Sequence, residues 1–477
     1  MTYATTSSAP LPSAPLTDSA DPACWLPPED TLRRTLHNEV HARPSARIRL
    51  PALIIDVAVL NEGAPREAAW AHLQALPGQA ALTLAQLQDN FVHLRCQGFS
   101  VRWERHTEFS RYTIVQSLPA HAGLPACEPD LLSGLAPSAD WLRQIPGRTV
   151  SAIELVMLHA PLDDATALMA HAMRWLGARS VVASLMGSNA LGTAASPGVG
   201  TGQGYSHPLG HSWVLTQFQL DAQGFERMLV IAPEGTSQTR AGRIAGRLLE
   251  LETYRLMALR GLPVAKALGP LLTRSEQALA DITARLEQKT ASDQELLDTL
   301  VALATAVERA IAENVYRFSA SQAYYALVTQ RITELREKAI PGTQMIGEFM
   351  QRRMSPAMAT VAATAQRLSS LSERVARTSD LLRTRVDIAT EVQNQQLLEK
   401  LTRGQALQLR LQSTVEGLSI AAISYYVISL LLYGGKALKA AGLPINPEMA
   451  AGALVPVVLW LVWRTTQRIH ARLHDGH

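Results

Sequence analysis

Residues 417–435 read GLSIAAISYYVISLLLYGG, nineteen positions without a charged side chain. An α-helix rises about 1.5 Å per residue, so this stretch spans most of a bilayer core that is about 30 Å thick. Glu416 and Lys436 bracket it. Uninterrupted apolar runs of this length are rare in soluble helices, so the stretch predicts a first transmembrane helix. The alternative is a hydrophobic hairpin buried in a soluble core.

A second apolar segment, residues 447–464, follows a short polar connection. It is short for a span, and Pro456 is expected to kink it. We predict a second transmembrane helix here, followed by a basic tail, residues 465–477. Arginine and lysine flank the outer ends of the two spans, which favours a bacterial inner-membrane protein with both termini in the cytoplasm.

The residues before the first span, 266–416, predict a long helical stalk because glycine and proline are nearly absent. The expected reversal is at Pro341-Gly342, which would make a helical hairpin. After it, apolar residues recur at spacings of three, four and seven, as in a coiled coil: Val361, Leu368, Leu371, Val375, Leu382, Ala389 and Val392. This pattern fits packing within one chain and a homo-oligomer equally well, and both interpretations stay open.

The N-terminal part, residues 26–265, predicts an α+β domain with a mostly antiparallel sheet, preceded by a disordered leader over residues 1–25. The expected strands are residues 48–60, 91–96, 100–116, 149–159, 179–186, 213–220 and 225–232. The expected helices are residues 66–75, 163–176 and 239–260. The fold class is therefore an α+β domain, a long helical stalk and two C-terminal transmembrane helices.

Composition narrows the range of partners. A net charge of +3 over 477 residues does not indicate a nucleic-acid partner. The three cysteines, Cys24, Cys96 and Cys127, are widely spaced and form no CxxC motif, which fits a reducing compartment. We predict no cofactor and no metal, and the expected partners are the lipid bilayer and further copies of the same chain.

The segment His37-Asn-Glu-Val-His41 places two histidines four residues apart, as zinc ligands on a helix require. However, Glu39 is not adjacent to the first histidine as in zinc proteases, and Pro44 ends any helix there. We therefore predict no metal site, and keep Glu39, His41 and Arg43 as candidate ligand-binding residues.

The strand around residues 102–108 carries closely alternating charges. Arg102, Glu104, His106 and Glu108 would share one face of a continuous strand. A solvated face with cross-strand ion pairs is one interpretation. The other is a surface for ligand binding or acid–base chemistry built from Glu104, His106 and Glu108.

Two further segments are candidates for anion binding. Arg247 and Glu250 lie about one turn apart on the predicted helix 239–260, which suggests either ion pairing within the helix or contact with an anionic ligand. Residues 187–204 are rich in glycine but match neither phosphate-loop spacing, so a flexible loop is predicted there.

Several blocks resemble a bacterial family of uncharacterised, predicted membrane-anchored proteins, domain of unknown function 3422. The resembling stretches are Asn38-Glu-Val-His-Ala-Arg-Pro44, Trp103-Glu-Arg-His-Thr-Glu-Phe109, Arg247-Leu-Leu-Glu-Leu-Glu-Thr-Tyr-Arg255, Arg383-Thr-Arg-Val-Asp387 and Thr414-Val-Glu-Gly-Leu-Ser-Ile-Ala-Ala-Ile-Ser-Tyr-Tyr426. The resemblance covers about residues 30–470. It implies a membrane location and no known activity.

The order of the segments is also similar to that of CorA-type magnesium channels, in architecture only. That family ends its first span in Tyr-Gly-Met-Asn, whereas this chain has Tyr433-Gly434-Gly435-Lys436. A lysine at this place would repel Mg²⁺.

These features predict a non-enzymatic, oligomeric inner-membrane protein that acts as a scaffold or as a sensor of a cytoplasmic ligand. The alternatives are a CorA-like ion channel or transporter, and a hydrolase or transferase that uses the 102–108 face.

Overall fold

The computed structural model describes residues 30–33, 36–37, 44–162, 164–186, 212–288, 291–440 and 446–474. The described chain divides into two compact units. The first lies within Met1–Glu276 and Ala306–Leu371, and the second within Gln277–Thr305 and Ser372–His477. The predicted leader, residues 38–43 and the glycine-rich segment 187–204 lie outside the described residues.

The first unit is built on one nine-stranded sheet with the order β2-β3-β4-β1-β5-β8-β7-β6-β9. Neighbouring strands are antiparallel except β5 and β8, which confirms the predicted mostly antiparallel sheet. The strands are β1 Ala52–Leu60, β2 Phe91–Cys96, β3 Phe99–Arg105, β4 Phe109–Ser117, β5 Thr149–His159, β6 Val182–Met186, β7 Ser212–Leu220, β8 Glu226–Ala232 and β9 Lys338–Ala339.

Helices cover both faces of this sheet. The described helices are α1 Arg66–Gln74, α2 Ala139–Arg143, α3 Ala165–Leu176, α4 Gln238–Leu259, α5 Gly261–Gln288, α6 Asp293–Leu335, α7 Ile346–Ala440 and α8 Pro447–His474. Side chains of α1, α2 and α3 share one core with one face of the sheet. Side chains of α4, α6 and α7 share a second core with the opposite face.

The central strand β1 explains this layering. Every residue of ALIIDVAVL is buried, as expected for a strand covered on both faces. Leu53, Ile55, Val57 and Val59 enter the core with α1–α3. Because successive side chains point to opposite faces, Asp56 lies on the α4 side, together with Ile54 and Ala58.

Two predicted strands differ most from the structure. Residues 100–116 form two strands rather than one, because the chain reverses after β3 and His106 N–H donates to the Phe109 carbonyl over 2.8 Å. The Asn61 side-chain amide also donates to the His106 carbonyl over 2.7 Å and so holds the turn. The first strand begins at Ala52 rather than at residue 48, directly after Pro51, which has no N–H to donate.

The predicted reversal at Pro341-Gly342 is confirmed, with Thr343 N–H donating to the Ile340 carbonyl over 3.1 Å. The sequence did not predict β9, which adds to the edge of the sheet beside β6. The Ser184 hydroxyl of β6 accepts the N–H of Ile346 over 2.8 Å, at the first residue of α7.

The second unit is entirely helical in its described part. Val375 and Leu382, which belong to the predicted coiled-coil pattern of apolar residues, are buried, whereas Val392 is 46% exposed. Arg385 of α7 lies 3.3 Å from the Asp293 carboxylate and donates to the Leu286 carbonyl over 3.0 Å. These contacts show packing within the chain at this point.

Two helices in this unit are long and apolar enough to cross a membrane, one within Ile346–Ala437 and one over Pro447–Thr465. Their large apolar side chains are mostly exposed, including Leu418, Tyr425, Tyr426, Leu430 and Trp460. The alternative of a hydrophobic hairpin buried in a soluble core is therefore not what the structure shows.

Gly242 on α4 allows the segment after Pro44 to pack closely on this helix. A Cβ atom at Gly242 would lie 1.7 Å from the Ala46 carbonyl oxygen. We expect Gly242→Ala to lower the free energy of unfolding by about 1–3 kcal/mol, because backbone would have to move.

Gly246 is the matched control on the same helix, since no atom lies within 4 Å of a Cβ there. Gly246→Ala should raise stability by up to about 1 kcal/mol through helix propensity. Thermal unfolding of the full-length variants in detergent gives both values. Equal effects of the two substitutions would contradict the close approach at Gly242.

Candidate functional site

A cavity of about 420 Å³ lies in the first unit between the β3–β4 face of the sheet and helix α4. The sheet contributes Arg102, Glu104, His106, Arg111 and Thr113. The helices contribute Arg243, Arg247, Glu250, Tyr254, Arg331 and Glu334, and Ser45 and Ala46 also line the cavity. Its polar lining is thus dominated by charged side chains from four separate segments of the chain.

A buried ion pair lies on the sheet side of the cavity. Arg111 Nη2 lies 3.2 Å from Oδ1 of Asp56, whose side chain is fully buried. The Thr113 hydroxyl donates to the same oxygen over 2.6 Å. Burial disfavours the charged guanidinium of Arg111, but Asp56 and Glu104 outweigh this effect and raise its pKa further above the ordinary value. Arg111 is therefore a fixed positive charge.

Glu104 stands among three basic groups. It pairs with Arg102, and its Oε2 lies 3.5 Å from Arg111 Nη1 and 4.0 Å from His106 Nε2. Burial raises the pKa of this carboxyl, but His106, Arg111 and Arg102 together lower it to well below the ordinary value. Glu104 is therefore ionised at any physiological pH.

The helical wall is held by ion pairs between α4 and α6. Arg331 pairs with Glu250 and, over 2.9 Å, with Glu334. Arg247 lies 3.3 Å from the Glu334 carboxylate and donates to the Glu334 carbonyl over 3.1 Å. The predicted pairing of Arg247 with Glu250 inside one helix is thus replaced by pairing of both residues with α6.

The basic side chains of the cavity are not all paired with acids. Arg243 forms no ion pair or hydrogen bond within the described chain. Arg102 Nε and His106 Nε2 are buried and have no hydrogen-bond partner among the described residues. Five arginines and three glutamates line the cavity, so its lining carries an excess of positive charge. Such a site suits a small anion.

The structure brings together four of the predicted site residues, Glu104, His106, Arg247 and Glu250. It does not bring Glu108 there. Glu108 lies in the turn after β3 and accepts two hydrogen bonds from Arg317, over 2.7 and 3.0 Å. Glu39, His41 and Arg43 lie outside the described residues, although Ser45 and Ala46, which follow them, line the cavity.

The sequence interpretation missed Asp56, Arg111, Arg331 and Glu334. Asp56 carried a usable signal, because it is the one charge in the apolar strand ALIIDVAVL. Arg331 and Glu334 carried none, because they reach the site only through the packing of α6. Among the described residues, no group of three or more His, Cys, Asp or Glu side chains is placed to hold a metal ion.

Removing the Glu104 charge should weaken the first unit in a pH-dependent way. The folded pKa of Glu104 lies below its ordinary value of 4.5, so its contribution is complete above that pH and is lost as the pH falls further. Glu104→Gln should therefore cost about 3 kcal/mol at pH 7, because it leaves buried arginines undercompensated.

The difference between Glu104→Gln and the wild type should shrink as the pH falls below about 4.5. The matched control is Glu62→Gln, which removes one partner of an exposed ion pair with Arg148 and should cost at most about 1 kcal/mol. Thermal unfolding of the full-length proteins across pH measures both. A Glu104→Gln deficit that grows on acidification would contradict this role.

Comparison with known proteins adds one assignment. No curated protein and no solved structure matches the chain. The sequence profile described as "Protein of unknown function (DUF3422)" matches residues 28–473. This range includes the cavity residues and most of both apolar helices, and it confirms the family resemblance seen in the sequence. The chain belongs to the DUF3422 family.

Proposed function

We propose that this protein is a membrane-anchored receptor for a small anionic molecule, which binds in the cavity between the β3–β4 face and α4. The observation that carries the proposal is Arg243, which has no partner among the described residues and lies in a cavity lined by five arginines and three glutamates. A phosphate or carboxylate group would supply an acceptor for the Arg243 guanidinium.

The geometry favours binding over catalysis. Glu104 has a lowered pKa and neighbouring arginines, so it is a poor proton acceptor near neutral pH. His106 Nε2 is 4.0 Å from the Glu104 carboxylate, too far for a hydrogen bond that would orient the imidazole as a base. The hydrolase or transferase hypothesis therefore has less support than the receptor hypothesis.

Membrane anchoring is the second part of the proposal. Two apolar helices with mostly exposed side chains would be unstable in water and stable in a bilayer. The charge pattern around them supports an inner-membrane location with both termini in the cytoplasm. We also propose that copies of the chain associate through α7 and α8, since the exposed apolar surface of these helices offers contact area.

The channel hypothesis has less support. The Lys436 ammonium lies over the Tyr433 ring, 6.0 Å from its centre, just beyond the first apolar run. A ring of such charges would oppose cation entry.

Anchoring is tested by placing charge inside the first apolar run. We expect the double substitution Ile423→Arg and Val427→Arg to move the full-length protein out of the carbonate-resistant membrane fraction. Each central arginine disfavours insertion by about 2.5–3.5 kcal/mol.

The control is the pair Leu397→Arg and Leu401→Arg, which alters exposed positions earlier on the same helix. This variant should stay in the membrane fraction. Retention of both variants, or release of both, would argue against an anchor at residues 417–435.

Ligand binding is tested by titrating full-length protein in a non-ionic detergent with inorganic phosphate and with succinate at constant ionic strength. Arg243→Gln should weaken binding of the preferred anion at this cavity at least about tenfold, the typical loss for one charge-assisted hydrogen bond.

Arg143→Gln serves as the control, because the Arg143 side chain is 74% exposed and is not part of the cavity lining. It should bind as the wild type does. Unchanged binding by Arg243→Gln, or no binding of either anion by the wild type, would refute the receptor proposal.

A further inference from the structure

A second cavity, of about 470 Å³, lies beside His106 at the β3–β4 turn. It shares His106 and Tyr254 with the first cavity and is otherwise lined by Arg66, Asn90, Arg105, Thr107, Tyr324 and Leu327. No acidic side chain lines it among the described residues. The ionisable side chains that line this cavity therefore include no acid, whereas three glutamates line the first cavity.

The two arginines of this cavity have only neutral partners. Arg105 donates from both terminal nitrogens to the Ala64 carbonyl, over 3.2 Å each. Arg66 donates to Gln88 over 3.2 Å and to Asn90 over 2.7 Å, and its Nε is buried without a partner. By contrast, four arginines of the first cavity pair with carboxylates.

Two acids that neighbour the lining residues in sequence, Glu67 and Glu108, do not balance these charges. Glu108, two residues beyond His106, is occupied by both terminal nitrogens of Arg317. Burial and the charge of Arg66 lower the pKa of Arg105, and the opposing influence of Tyr112 and Glu67 is smaller. Two like charges thus stand in a partly buried space at an energetic cost that an anion would remove.

Two tyrosines and a leucine also line the cavity. The Tyr254 and Tyr324 rings stack with a centroid separation of 5.9 Å and an angle of 27°, and Leu327 lies beside them. A ligand held by the arginines through a charged group would therefore meet flat apolar surface with its other end.

We propose that Arg66 and Arg105 form a second anion-binding site, for a phosphate or carboxylate group carried on a ligand with a flat apolar part. Arg66 and Arg105 bind the charged group, and Tyr254 and Tyr324 contact the apolar part. This site shares His106 and Tyr254 with the first cavity but uses different arginines, so either site can exist without the other.

The test compares inorganic phosphate with phenyl phosphate as probes on full-length protein in non-ionic detergent. The readout is the rise in thermal midpoint over a concentration series at constant ionic strength. Phenyl phosphate should bind the wild type several-fold more tightly than inorganic phosphate, because its ring contacts the tyrosines. Equal affinities would overturn the aromatic part of the proposal.

Arg66→Gln should reduce the affinity for phenyl phosphate at least about tenfold. It should not lower the midpoint in anion-free buffer, because it removes a like-charge repulsion and keeps an amide that can bond to Asn90. A structural role alone would instead lower that midpoint. Arg66→Lys, which keeps the charge, should retain part of the affinity and covers the case in which the glutamine variant fails to fold.

Arg143→Gln is the control for general effects of losing an arginine, and Arg243→Gln separates the two sites. Phenyl phosphate binding that persists in Arg243→Gln and is lost in Arg66→Gln supports the second site, whether or not the site around Arg243 binds an anion. Binding unchanged in Arg66→Gln, or lost equally in Arg143→Gln, overturns it.

Discussion

The ion pair between Asp56 and Arg111 constrains the rest of the first unit. Asp56 lies in the central strand with its side chain fully buried, where an unpaired carboxylate would be strongly destabilising. The pairing must therefore be built into the sheet itself. The register of β1 and β4 does this by setting Asp56 opposite Thr113 and Ala58 opposite Arg111. Both groups that bind the carboxylate thus lie on the same face of the neighbouring strand.

The same register creates the candidate site. Glu104 lies opposite Arg111 across the β3–β4 pair, so one guanidinium contacts two carboxylates on different strands. A slip by one residue would turn Asp56 toward the core shared with α1–α3, where its strand neighbours Ile55 and Val57 now pack. The buried charges therefore disfavour alternative pairings and also leave a polar floor on which a cavity can form.

Much of the architecture could be predicted from the spacing of apolar and charged residues and from the positions of glycine and proline. Alternation placed Arg102, Glu104 and His106 on one face, and the long apolar run identified the C-terminal helices. Glu108 was misplaced because the alternation rule assumes a continuous strand, and the chain turns after His106. The small strand β9 escaped notice because two residues carry no periodic signal, and its pairing with β6 depends on contacts distant in sequence.

The site was less predictable because it is assembled across long sequence separations. Arg331 is 81 residues from Glu250, and Arg111 is 55 from Asp56. No rule applied to a single sequence predicts such distant partners. The sequence of a helix with alternating charges is also the same whether its side chains form ion pairs within the helix or with another helix. Only the packing of α6 against α4 distinguishes these two cases.

The arginines of the two cavities fall into two groups, those paired with carboxylates and those without an acidic partner. Arg111, Arg247 and Arg331 pair with carboxylates and join strands or helices, so their charges are balanced within the fold. Among the described residues, Arg66 and Arg105 donate only to neutral groups, and Arg243 has no hydrogen-bond or ion-pair partner. A folded chain gains nothing from bringing unbalanced cations together, because their repulsion and partial burial both oppose folding. An external anion is the simplest source of the balancing charge, which is why both proposed binding sites are centred on these arginines.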